Sequence, residues 1–100
     1  MPSFQEHVRR ALDSLPPDIA AKLENVAVVI EDENPDDPDL FGLFQEEPYL
    51  PAKISVYRIP LEESFPDPAE LEREIRITVL HELAHYFGID EDRLDELGYG

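Results

Sequence analysis

The chain of 100 residues contains no cysteine and no tryptophan, one methionine, four glycines and only eight basic residues. Without cysteine there is no disulfide framework and no thiolate metal site, so any metal must be held by His, Asp or Glu. Eight Lys plus Arg stand against 24 Asp plus Glu, for a formal net charge of -16. That imbalance leaves no basic face to meet phosphates and argues against nucleic acid or an anionic membrane as partner. No apolar run approaches the roughly 20 residues that span a bilayer. Nor does a basic stretch followed by an apolar run open the chain, so no signal peptide is expected. The default expectation is a soluble, cytoplasmic protein. Hydrophobic residues make up 42% of the sequence, enough for one modest core. The length is that of one domain, expected to span residues 1–100.

Local patterns divide the chain into helices and short strands. Ser3, with Glu6 three residues later, reads as a capping box. Phe4, Val8, Ala11, Leu12 and Leu15 follow at helical spacing, until Pro16 and Pro17 stop the helix. His7 falls outside that stripe and reads as a surface residue. A second short helix is expected over about 18–24. Val26-Ala27-Val28-Val29-Ile30 is the best strand, and its unbroken apolar character predicts burial on both faces. A weaker second strand is expected at 40–44 and a third at 54–59, bounded by Pro51 and Pro60. Between the first two lies an acidic loop in which Asp32, Asn34 and Asp36 have the alternating spacing of a calcium hand. The pattern then fails: Pro35 interrupts it, no glycine makes the sharp turn, and Leu43 stands where a bidentate Glu is needed. A solvated acidic loop is the simpler reading.

The third helix carries the chemistry. Asp67 is a natural cap, Pro68 suits the first helical position, and Gly88 is a left-handed terminator. Leu71, Ile75, Val79 and Leu83 repeat every four residues and should pack on the sheet. Within this helix stands His81-Glu82-Leu83-Ala84-His85, with two of the chain's three histidines. Residues four apart project from one face, one turn above the other, so two imidazoles can converge on one cation. Glu82 is rotated by about 100° from His81, beside such a metal rather than under it. There it can take a proton from an activated water. Catalytic zinc usually has three protein ligands plus water. Gly88 lets the chain turn back, which brings Asp90, Glu91 and Asp92 into consideration as the third. Asp90 is expected to cap a last short helix through Leu94 and Leu97, and Asp92 to point away, so Glu91 is preferred.

His81-Glu82-Leu83-Ala84-His85-Tyr86-Phe87-Gly88-Ile89-Asp90-Glu91 resembles the extended motif of the metzincin-like zinc peptidases, His-Glu-x-x-His-x-x-Gly-x-x and a third ligand. Glu91 stands at the position of that ligand, usually His and in some relatives Asp. No methionine turn follows, since Met1 is the only methionine. The order of elements is more specifically similar to the small bacterial zincin-like metallopeptidase family. It matches an N-terminal helix like Phe4 to Leu15, the strand Val26 to Ile30, the acidic Pro-rich loop, Leu40 to Leu43, Ile54 to Tyr57 and the motif helix. The resemblance implies a minimal α/β (α+β) zincin-like fold, with a small mixed sheet packed against helices that include the motif helix. It further implies Zn²⁺ held by His81, His85 and Glu91, and hydrolysis of peptide bonds with Glu82 as general base. The expected partner is a peptide or protein substrate, and the chain's acidity favours a basic one. No tyrosine among Tyr49, Tyr57, Tyr86 and Tyr99 is assigned to the oxyanion. The competing expectation is a catalytically silent module in which the metal staples the core and the acidic surface recruits a partner.

Overall fold

A computed structural model describes residues 3–96, apart from the side chain of Glu91. The element order is α1 (Phe4–Asp13), α2 (Pro17–Lys22), β1 (Val26–Glu31), β2 (Gly42–Gln45), β3 (Ala52–Tyr57), α3 (Arg58–Ser64), α4 (Pro68–Phe87) and α5 (Glu91–Glu96), with one 3-10 turn, Leu23–Asn25, leading into β1. The sheet order is β1-β3-β2, with β3 parallel to β1 and antiparallel to β2. This is a small mixed sheet packed against helices, as the α/β expectation requires.

Two strand expectations are corrected by that order. None of the β1 residues is fully buried, because β1 lies at an edge and not in the middle. The central strand is β3, where Ile54, Ser55, Val56 and Tyr57 are all buried. An apolar run states that a strand is hydrophobic; its place in the sheet depends on which strand inserts beside it, and that is not written locally. Secondly, the strand expected over 54–59 ends at Tyr57, and the chain enters α3, which the sequence reading lacks. Pro60 falls in the first turn of that helix, where its missing N–H leaves no intrahelical bond unmade. Arg58 secures this corner by bonding Asp32 at 3.0 Å and Glu62 at 2.6 Å.

Helix α4 forms as its caps dictate. The Asp67 carboxylate accepts the Glu70 N–H at 3.0 Å, and Pro68 occupies the first turn. Gly88 closes the helix with φ 66°, donating its N–H to the Ala84 carbonyl at 3.0 Å. Leu71, Ile75, Val79 and Leu83, joined by Leu80, bury against Ile54 and Val56 of β3, Leu61 of α3, and Phe4, Val8 and Ala11 of α1. Each such side chain contributes about 1.5–3 kcal/mol by leaving water. Across the α1–α4 seam, His7 corrects the sequence reading: its exposure is 6%, not that of a surface residue. Position 7 lies one turn after Phe4 and one before Ala11, so it shares their inward face. Its Nδ1 stands 3.2 Å from Oε1 of Glu72, which Arg10 also approaches at 3.9 Å.

Asp90 caps α5, its Oδ1 accepting the Arg93 N–H at 2.9 Å. Leu94 reaches the core, and Arg93 meets Asp18 of α2 at 2.7 Å. Leu97 and Tyr99 lie outside the described residues. No helix among the described residues is long and apolar enough to cross a membrane.

Candidate active site

The last three turns of α4 present three parallel stripes. Ile75, Val79 and Leu83 face the core. Thr78, Glu82 and Tyr86 face β2, and His81 and His85 lie next to them on the outer side. The β2-facing stripe is tightly registered with the strand. Gly42 sits against Thr78, so close that a Cβ there would stand 2.5 Å from the Thr78 methyl and 3.9 Å from Cγ of Glu82. Two residues along, on the same face of β2, Phe44 stacks on Tyr86 with ring centroids 4.4 Å apart and 23° between planes. The glycine lets strand and helix approach at the motif, and the stacked rings clamp them one turn further on.

This packing sets the motif side chains in different surroundings. His85 is open, with 80% of its side chain exposed, whereas the Glu82 side chain is at 16%. His81 is exposed as well. Glu82 Oε2 stands 3.4 Å from His85 Nδ1, which leaves Nε2 on the far side of the ring. The three residues border a shallow cavity of about 330 Å³, with Thr78 deeper on the same helix. Its opposite wall is the segment from Asp39 to Gly42, with Asp37 at the rim. The acidic loop thus does more than solvate. Asn34 Oδ1 accepts the N–H groups of Asp36 and Asp37 at 2.8 and 3.0 Å, and its Nδ2 donates to the buried Tyr57 hydroxyl at 2.9 Å. Asp32 is taken by Arg58. These bonds hold the loop in a turn that delivers Asp37 and Asp39 beside the histidines. The sequence reading missed this, because the loop's charges suggested only solvent.

Among the described residues, no group of three His, Asp or Glu side chains is placed to hold one metal ion. The donor chemistry of His81 and His85 fits zinc, and two imidazoles fill two of its usual four positions. Of the proposed third ligands, Asp90 has one carboxylate oxygen engaged as the α5 cap, and Asp92 is exposed. The Glu91 side chain lies outside what is described. Tyr57, one of the four tyrosines considered for the oxyanion, is committed to Asn34. Gly42 and Tyr86 were legible in principle: the four-residue spacing of Thr78, Glu82 and Tyr86 already marks a second packed stripe.

A family model described as zincin-like metallopeptidase matches residues 23–100. No curated protein matches the chain.

Proposed function

The chain belongs to the zincin-like metallopeptidase family, and from that premise we propose that it is a zinc-dependent peptidase in which His81 and His85 hold the metal, Glu91 completes the protein ligands and Glu82 is the general base. The observation that carries this reading is the contrast along one helical turn: two exposed imidazoles flank a carboxylate that is largely withdrawn into the cleft. Such open histidines suit a site that admits water and substrate better than a closed structural staple, whose ligands are all protein. Bound zinc would supply a Lewis acid and a water acidic enough to react near neutral pH.

The remaining chemistry falls to the chain's own residues. Glu82 takes the proton of the attacking water and later returns it to the leaving amine. Its side chain is partly buried, with Cγ packed near Gly42 and Oε2 beside His85. β2 has no strand on its outer side among the described residues, so its backbone can pair with an extended peptide laid beside the motif. Asp37 and Asp39 give the cleft a negative wall, which favours basic substrates. Glu91 opens α5, three residues beyond Gly88, where the left-handed turn redirects the chain.

Metal analysis tests the ligand set. After chelation and reloading, the wild type should bind one zinc per chain. His81→Ala and His85→Ala should each weaken binding by about tenfold or more, and Glu91→Ala should do so more than Asp92→Ala. A wild type that takes up no zinc at neutral pH would overturn the assignment.

A further inference from the structure

A second cavity, of about 790 Å³, lies just past the motif, between the end of α4, the 3-10 turn and the segment that leaves β2. Its apolar surface comes from Leu50, Tyr86 and Phe87, and its rim carries Glu46 and Glu47. Of the described large hydrophobic side chains that are exposed, Tyr49, Leu50, Tyr86 and Phe87 all belong to this cavity or to the segment that walls it, and only Ile30 lies elsewhere. Water-facing apolar surface concentrated in one concavity marks a binding surface. The cavity already shows a taste for cations: the Lys22 ammonium sits over the Phe87 ring, 5.3 Å from its centroid. Glu46 and Tyr86 line this cavity together, so a carboxylate stands beside the aromatic floor.

Building on the peptidase reading, we infer that this cavity is a specificity subsite that takes a lysine or arginine side chain of the substrate. The alkyl stem of such a residue would lie on Leu50 and the rings, with its charged head at Glu46 and Glu47. The topology connects the two places. β2 begins with Gly42 in the motif cleft and ends with Gln45, the residue before Glu46. At about 3.3 Å per residue, a peptide paired along β2 covers that span in about three to four residues. The basic side chain selected here therefore stands that far from the scissile bond, on the side toward the C-terminal end of α4. Lys22 occupies part of the cavity and competes with it.

Two readouts separate this inference from the peptidase reading. In the first, zinc-loaded protein cleaves paired peptides that carry, three or four residues from the cleaved bond, either lysine or norleucine, which keeps the four-carbon stem and lacks the ammonium. The lysine peptide should be preferred by about threefold to tenfold in kcat/KM, and the preference should collapse toward unity in Glu46→Gln/Glu47→Gln. In the second, the same peptides bind Glu82→Gln protein, measured by calorimetry without turnover. Lysine binding should be tighter than norleucine, should weaken with salt, and should strengthen in Lys22→Met. Binding that follows these rules without cleavage by any form would overturn the peptidase and leave the subsite standing. Cleavage or binding indifferent to lysine and to Glu46→Gln/Glu47→Gln overturns the subsite, as does failure of both peptides to bind.

Discussion

Replacing Gly42 by alanine tests the strand–helix contact on which the cleft depends. The added methyl would stand 2.5 Å from Thr78 Cγ2 and 3.1 Å from the Ser55 carbonyl oxygen. Thr78 cannot easily turn aside, because its hydroxyl is bonded to the Glu74 carbonyl at 2.8 Å. Either that bond breaks or β2 moves away from α4. Overpacking of this kind costs about 1–3 kcal/mol. Opposing it, alanine restricts the unfolded chain and returns about 0.4–1 kcal/mol, since Gly42 does not have a positive φ. The net expectation is a loss of up to about 2.5 kcal/mol, or a drop of up to several degrees in Tm. Thr78→Ser removes the offending methyl and keeps the hydroxyl, so in that background Gly42→Ala should be nearly neutral or stabilising. Urea unfolding of the four proteins gives the coupling, expected to be at least about 1 kcal/mol. An equal cost in both backgrounds, or a stabilised Gly42→Ala single variant, would refute the proposed packing.

Gly88→Ala should cost about 1 kcal/mol or more in urea unfolding, because nothing crowds the position and the left-handed φ of 66° alone penalises a side chain. Gly88→Asn should recover part of that loss. His7→Ala removes the partner of Glu72 in the α1–α4 seam and should destabilise by about 1–3 kcal/mol, where a surface histidine would cost almost nothing. The Arg93 guanidinium hydrogen-bonded to Asp18 holds that carboxyl below its ordinary value of 3.8. A lowered folded-state value means the contribution is present above 3.8 and fades as pH falls through the lower value. Asp18→Asn should therefore lower Tm at neutral pH and low salt, and the gap to wild type should close in melts taken below pH 3.8.

The elements legible from residue order are those whose signals are local. Asp67, Pro68, the four-residue stripe from Leu71 to Leu83 and Gly88 bound α4 correctly, since caps and terminators act on their own helix. The capping of α1 by Ser3 and of α5 by Asp90 follows the same logic. What escaped was set by partners distant in sequence. β3 lies between β1 and β2, and that insertion makes the most apolar run an edge strand. His7 is buried where α1 packs on α4, with Glu72 facing it across the seam. Pro60 reads as a strand stop, yet it lies in the first turn of a helix whose first residue, Arg58, bonds both Asp32 and Glu62. The motif itself was plain from its spacing. The contribution of Asp37 and Asp39 to its cleft was not, because it depends on how Asn34 folds a loop 40 residues and more before the histidines.

Glu82 is the residue on which hydrolysis turns, and cleavage by matched zinc-loaded proteins tests its role most directly. Wild type and Glu82→Gln are brought to equal zinc content and incubated with a peptide library, with products read by mass spectrometry. The account predicts cleavage by wild type and a rate lower by about 10²-fold or more for Glu82→Gln at unchanged zinc occupancy. Undiminished cleavage by Glu82→Gln would contradict the general-base assignment. Full zinc occupancy with no cleavage by wild type would contradict the peptidase and leave a silent metal-binding module.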